Sequence, residues 1–167
     1  MKKILYLIFI YFLSITFLYA KEINIGTYSV LGKSFDVTAE YSETKVLNVF
    51  IDVSGEYKND KVSIRIEGEN DIKAFIESLR QCKIKFIEWK QVVKNNNIKE
   101  ITKAMDVTFP NVQIWWRGSS WHRSYKGDYI KPVFIHPTFF IGILGEATDK
   151  DNEYITQEFY MVLDDLA

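Results

Sequence analysis

Residues 70–97 decide the fold of this chain, and they read NDIKAFIESLRQCKIKFIEWKQVVKNNN. Apolar residues recur in this stretch at steps of three and four, which is the spacing of one face of a helix. The stripe consists of Ile72, Phe75, Ile76, Leu79, Cys82, Phe86, Trp89 and Val93. Asn70 is predicted to be the N-cap, and the three asparagines at 95–97 are predicted to end the helix. The stretch therefore predicts one amphipathic helix of about 24 residues that lies across a sheet.

Four strands are predicted before this helix. Apolar and polar residues alternate strictly over 34–41, the pattern of a half-buried strand. Similar stretches at 22–30, 45–53 and 61–67 are separated by short, turn-rich connections. Because short connections join antiparallel strands, the N-terminal half predicts a four-stranded meander with one covered face.

The residues after the helix return to strand-like patterns. Residues 99–105 are predicted to form one more helical turn, and Pro110 is predicted to interrupt a strand over 107–116. Later strands are predicted from His122, over 129–136 and 138–145, and over 153–163. The sequence thus predicts an α+β domain with about eight antiparallel strands in a β4-α-β4 order. We expect the helix to pack on a sheet face formed by the meander and the C-terminal strands.

The first twenty residues have the pattern of a secretory signal peptide. Lys2 and Lys3 precede an apolar run over 4–19, and the small residue Ala20 stands before the predicted cut. The run is slightly shorter than the roughly 20 residues that span a bilayer core, although an uncleaved anchor remains the alternative. No cysteine lies near the cut to accept lipid. We expect residues 1–20 to be the signal peptide, residues 21–167 to be a single domain, and the product to be periplasmic or extracellular, without an integral membrane span.

Charge and cysteine content limit the partners of this domain. The chain has 21 basic and 22 acidic residues, and removal of Lys2 and Lys3 leaves 19 − 22, or a formal charge of −3. The sequence shows no electrostatic footprint for nucleic acid, and a polybasic membrane patch is likewise absent. Cys82 is the only cysteine, so no internal disulfide can form, and we expect this thiol to be a small buried residue. An intermolecular disulfide is the open alternative.

An aromatic cluster surrounds a short Gly-Ser turn in the C-terminal half. Successive residues of a strand point to opposite faces, so Trp115 and Trp116 cannot both enter the same core. An exposed tryptophan beside arginine can stack on a sugar ring or anchor a protein. The candidate binding surface is Trp115, Trp116, Trp121, Arg117 and Arg123. The alternative is that these aromatic residues form a second core layer.

Catalytic and metal-binding patterns are weak in this sequence. Ser119 or Ser120 with His122 could form part of a hydrolase, but no Gly-x-Ser-x-Gly elbow is present. Asp149, Asp151 and Glu153 alternate as in a calcium loop, but the glycine and the bidentate glutamate of an EF-hand are missing. We therefore expect no catalytic residues, no metal site and no cofactor.

Several segments resemble one group of bacterial proteins over about half of the chain. They are Ile76-Glu77-Ser78-Leu79, Lys85-Phe86-Ile87-Glu88-Trp89, Asn95-Asn96-Asn97-Ile98, Ser120-Trp121-His122 and Asp151-Asn152-Glu153-Tyr154-Ile155. In these features the chain is similar to small uncharacterised exported proteins of Bacteroidetes. The resemblance implies an exported α+β domain and implies no activity.

These observations lead to one expectation about function and two alternatives. We expect an exported, non-enzymatic protein that binds a protein partner or glycan in the cell envelope or outside it. The alternatives are a small secreted hydrolase and a structural envelope component that self-associates through a sheet edge. The sequence leaves the oligomeric state open.

Overall fold

A computed structural model describes residues 20–30, 32–53, 62–116, 122–125, 130–136, 140–147 and 157–159. These residues form an α+β fold with one helix and antiparallel sheets. Four strands precede the helix: β1 (Lys21–Val30), β2 (Lys33–Ser42), β3 (Lys45–Val53) and β4 (Val62–Glu67). Each pairs antiparallel with the next, which confirms the predicted meander.

The helix α1 spans Glu69–Asn95 and contains 27 residues. The prediction of Asn70 as its N-cap was wrong, because the cap is Gly68 and no side chain caps the first turn. Gly68 has φ 82° and ψ 153°, a conformation that is essentially restricted to glycine. The turn from β4 into the helix therefore depends on the backbone conformation of Gly68 and not on a capping asparagine side chain.

Within the described residues, six strands follow the helix. They are β5 (Ile101–Ala104), β6 (Val112–Trp116), β7 (His122–Tyr125), β8 (Ile130–His136), β9 (Phe140–Ala147) and β10 (Gln157–Phe159). The helical turn predicted over 99–105 was wrong, because β5 pairs with β8 there. The predicted β4-α-β4 order is only approximate, because six strands follow the helix among the described residues. Pairing with partners that are distant in the sequence turns short segments such as β5 into strands.

The strands form two sheets. One has the order β1-β2-β3-β4-β6-β7 and the other β10-β9-β8-β5, so the C-terminal strands do not extend the meander as one surface. Strand β6 joins the meander by pairing with β4, and it begins at Val112, after Pro110. The helix contacts β3 and β4 on one face of the first sheet. We call this face, which carries Ile51, Ile64 and Ile114, the helix-side face.

The core lies between the helix and both sheets. Phe75 of α1 packs edge-on against Phe109 at 5.1 Å between ring centroids, while Phe86 and Trp89 contact Phe134 of β8 at 5.7 and 5.8 Å. Cys82 is fully buried in the same cluster, as predicted. The helix, which packs on β3 and β4, thus contacts the second sheet through its aromatic residues.

The apolar stripe of the helix is rotated slightly from the predicted one. Ile76 is 43% exposed, whereas Ser78 is buried. The Ser78 hydroxyl lies 3.0 Å from the carbonyl oxygen of Ala74 and 2.8 Å from that of Thr108. A hydroxyl that can donate to the backbone is tolerated inside the core, and hydrophobic spacing alone does not reveal it.

Candidate binding surface

Trp115 lies on the face of the first sheet opposite the helix. In the β4–β6 ladder it pairs with Ser63, while its neighbours Ile114 and Trp116 pair with Ile64 and Val62 of the helix-side face. We call the opposite surface, which carries Phe50, Ser63, Arg65, Gln113 and Trp115, the outer face. Paired residues share a face of a sheet and neighbours alternate, so Trp115 and Trp116 belong to opposite faces.

Gln113 holds the ring of Trp115 in place. Its side-chain oxygen Oε1 accepts a hydrogen bond from Trp115 Nε1 at 3.0 Å and one from Arg65 Nη1 at 2.6 Å. Its amide nitrogen Nε2 lies 3.3 Å from Glu67 Oε2, to which it donates. One amide therefore satisfies the indole N–H and a guanidinium N–H together, which fixes both side chains in one arrangement.

Arg65 stacks against the same indole. Its guanidinium carbon lies 5.0 Å from the Trp115 ring centroid, a cation–π geometry, and Nη1 is 3.5 Å from Glu67 Oε2. The Arg65 side chain is only 16% exposed. Phe50 contacts the indole edge-on at 6.1 Å between centroids. Trp115 is consequently half-buried and rigid, with one ring face already covered by arginine.

The centre of the outer face is polar and buried. Ser63 is fully buried and its hydroxyl donates to Asp52 Oδ1 at 2.6 Å, while Asn48 Nδ2 donates to Glu40 Oε2. Among the described residues, Asn48 Oδ1 and Arg65 Nε are buried and have no hydrogen-bond partner. Buried polar atoms without partners are costly and are uncommon in folded proteins. These buried polar atoms distinguish the outer face from an ordinary solvent-exposed sheet surface.

The charges of the outer face are mainly negative. Across β2, β3, β4 and β6, its charged residues are the carboxylates Asp36, Glu40, Asp52 and Glu67 and the cations Arg65 and, at the start of β3, Lys45. The candidate site is therefore an aromatic and cationic centre at one end of an acidic face. Arginine at this position favours an acceptor-rich or aromatic partner group.

Of the residues predicted for the site, Trp115 is the one that the described part of the structure places on the outer face. Arg117 and Trp121 lie outside the described residues, and Trp116 and Arg123 are described through their backbone. The β6–β7 ladder pairs His122 with Trp115 and Arg123 with Ile114. Position 123 thus belongs to the helix-side face, whereas position 122 is beside Trp115 on the outer face.

The sequence did not indicate three residues of the outer face, namely Arg65, Gln113 and Phe50. Arg65 alternates with the apolar residues of β4, so its polar face could be recognised, but nothing in the sequence pairs β4 with β6. The two strands are separated by the whole helix. Long-range pairing of this kind leaves no local signal.

Catalytic and metal-binding alternatives gain no support from the geometry. Ser119 and Ser120 lie outside the described residues, so the hydrolase stays a prediction. Among the residues that the structure describes, no group of three or more His, Cys, Asp and Glu side chains could hold a metal ion. No helix in that part of the chain is long and apolar enough to cross a membrane.

Comparison with known protein families, curated proteins and solved structures finds no match.

Proposed function

We propose that this chain is an exported, non-enzymatic protein that binds a protein partner or glycan through the outer face around Trp115. The observation that carries this proposal is the fixed Trp115–Arg65–Gln113 arrangement, with its hydrogen bonds of 3.0 and 2.6 Å. A rigid aromatic side chain with a neighbouring cation loses little conformational entropy on binding, which is the property of an interface anchor.

Export is supported by the leader pattern and by the position of the first strand. The strand β1 begins at Lys21, the residue that follows the predicted cut. The test of export is mass spectrometry of the full chain after expression in a bacterial host. We expect the mature N-terminus at Lys21 and recovery from the periplasm or the medium. An intact N-terminus in the cytoplasmic fraction would refute this part of the proposal.

The binding proposal is tested by substitution of the anchor. Wild-type protein and a Trp115→Ala variant are compared as baits for envelope proteins and as probes of an immobilised oligosaccharide panel. Val46→Ala is the matched control, because Val46 is another apolar residue of the same sheet and is 44% exposed. We expect Trp115→Ala to lose about tenfold to a hundredfold in affinity for the captured partner or sugar, and the control to lose none.

A second variant separates the anchor from general loss of structure. Gln113→Glu keeps an acceptor for the indole and the guanidinium but adds a carboxylate beside Glu67. Retained folding by circular dichroism together with weakened binding supports the proposal. Equal binding by wild type and both variants would show that this face does not contact the partner.

A further inference from the structure

The helix presents a second surface that the proposed function does not use. Nine residues of α1 between positions 73 and 94 lie within an arc of about 120° beside the buried side of the helix, at 3.6 residues per turn. We call them the basic stripe; they are Lys73, Ile76, Arg80, Lys83, Ile84, Ile87, Lys90, Gln91 and Lys94. Five are cations and three are isoleucines, while Glu69 lies in the same arc one turn earlier and Glu77 and Glu88 border the arc on one side.

The isoleucines of the basic stripe are openly exposed. Ile84 is 66% exposed, Ile87 is 58% exposed and Ile76 is 43% exposed. Single exposed apolar residues are ordinary on protein surfaces, but these three lie on one side of the helix, within an arc of about 80° at 3.6 residues per turn. The core does not require them, because Phe75, Cys82 and Phe86 already fill the buried side of α1.

Three cations of the basic stripe make contacts within the helix. Lys73 pairs with Glu69 and Arg80 pairs with Glu77, both in exposed i,i+4 or i,i+3 geometry. Such surface pairs contribute little and exchange readily. Lys90 stacks over the Phe86 ring at 5.4 Å to the centroid, which keeps its stem along the apolar surface. Lysine stems that cover apolar surface while the ammonium groups stay in water are typical of membrane interfaces.

We propose that the basic stripe is a docking surface for an anionic lipid bilayer, on which α1 lies parallel to the membrane plane. Exposed isoleucines interspersed with cations on one side of a convex helix match a flat, negatively charged surface that apolar side chains can enter. A protein groove would instead favour a compact anchor in one pocket. The acidic outer face is on the opposite side of the first sheet, so the field of an anionic bilayer orients the molecule with Trp115 away from the lipid.

The test uses an environment-sensitive fluorophore attached to the full chain at Ile87→Cys. Cys82 is fully buried, and wild-type protein treated with the same reagent corrects for any labelling of that thiol. The matched control is Val92→Cys, because Val92 is also an exposed apolar residue of α1, 46% exposed, but lies outside the basic stripe. A local probe reports contact of the stripe with lipid whether or not the leader is retained.

The vesicles contain either phosphatidylcholine alone or phosphatidylcholine mixed with phosphatidylglycerol. We expect the emission of the probe at position 87 to shift to the blue with the anionic vesicles only, and this shift to disappear at high salt. The shift at position 87 should be larger than that of the probe at position 92. Replacing Lys83 and Lys94 by glutamine should raise the lipid needed for the half-maximal shift by about thirtyfold. The pair Lys33→Gln and Lys99→Gln removes the same charge elsewhere and should change it little.

Three outcomes would overturn the proposal. They are equal shifts at positions 87 and 92, a shift with neutral vesicles that salt does not remove, and a shift that appears without lipid as protein concentration rises. The last outcome would identify a second copy as the occupant. Loss of Trp115-dependent binding leaves these readouts unchanged, so failure of the proposed function is distinguishable from failure of this proposal.

Discussion

Replacing Phe134 by alanine tests whether the helix joins the two sheets into one core. Phe134 lies on β8 of the second sheet and is 1% exposed. Its ring contacts Phe86 and Trp89, which both belong to α1. The substitution removes the ring and leaves a cavity between the helix and the second sheet, while the backbone pairing of β8 with β5 and β9 is unaffected.

The expected loss of stability follows from burial and ring contacts. A fully buried Phe→Ala change costs about 3–5 kcal/mol, and each aromatic pair adds about 0.5–1.5 kcal/mol beyond its buried area. Because the Phe134 side chain is almost fully buried and has two ring partners, we expect a loss of about 4–5 kcal/mol. This is a large part of the roughly 5–15 kcal/mol that stabilises a folded domain.

The assay is urea unfolding followed by circular dichroism and by tryptophan emission. With a slope of about 2 kcal/mol/M, the midpoint should fall by about 2 M. Phe134→Leu should lose about half as much, and Ile84→Ala, whose side chain is 66% exposed, should change the free energy of unfolding by less than about 0.5 kcal/mol. If Phe134→Ala is no more harmful than Ile84→Ala, the second sheet is not docked on the helix as described.

Three further predictions concern pH, the helix start and the candidate site. Burial raises the pKa of the Cys82 thiol from 9.0 to about 11. The stability advantage of wild type over Cys82→Ala should therefore be constant below pH 9 and should fall by up to about 2–3 kcal/mol between pH 9 and 11. Urea titrations across that range measure this stability difference, and a difference that does not change with pH would contradict the prediction. Tyr28, whose pKa is also raised by burial, is present in both proteins and cancels from the difference. Gly68→Ala should cost about 2 kcal/mol, because the φ of 82° is unfavourable for alanine although no atom lies within 4 Å of the added methyl group. Gly26→Ala, which has the same open space without a positive φ, should stay within about 1 kcal/mol of wild type. Thermal unfolding of both variants measures the difference, and equal losses would contradict the prediction. Gln113→Leu should lower the free energy of unfolding by about 1–3 kcal/mol, because Arg65 and Trp115 lose the acceptor of their hydrogen bonds. Gln91→Leu on the exposed helix surface should cause no such loss. Equal losses by the two variants in chemical unfolding would rule out a stabilising hydrogen-bond network around Gln113.

Local patterns predicted the N-terminal half of the fold well. Strand β3 was predicted over the same residues, 45–53, that the structure gives it, because alternation and turn residues are properties of neighbouring positions. The helix was predicted to within a few residues for the same reason. Its start was misplaced because the cap is a backbone conformation at Gly68, which no side-chain preference indicates.

The candidate site was predictable only in part. Trp115 was recognised as an unusual aromatic residue, and its separation from Trp116 followed from strand geometry. Arg65 and Gln113 were missed because the contact between β4 and β6 joins segments on either side of the helix. The basic stripe was missed because its cations are spaced along a helix instead of clustered in sequence, and the direction of the core decides which of them share a face.

By itself, the sequence determined the local elements, the single cysteine and the leader pattern, since these depend on the order of neighbouring residues. Only the tertiary structure decided that the C-terminal strands divide between two sheets, that residues 101–104 form a strand, and that Gln113 joins Arg65 to Trp115. The physical reason is that a strand obtains its hydrogen bonds, and a side chain its neighbours, from partners distant in the chain. Such pairing is fixed by the packing of the whole core around α1.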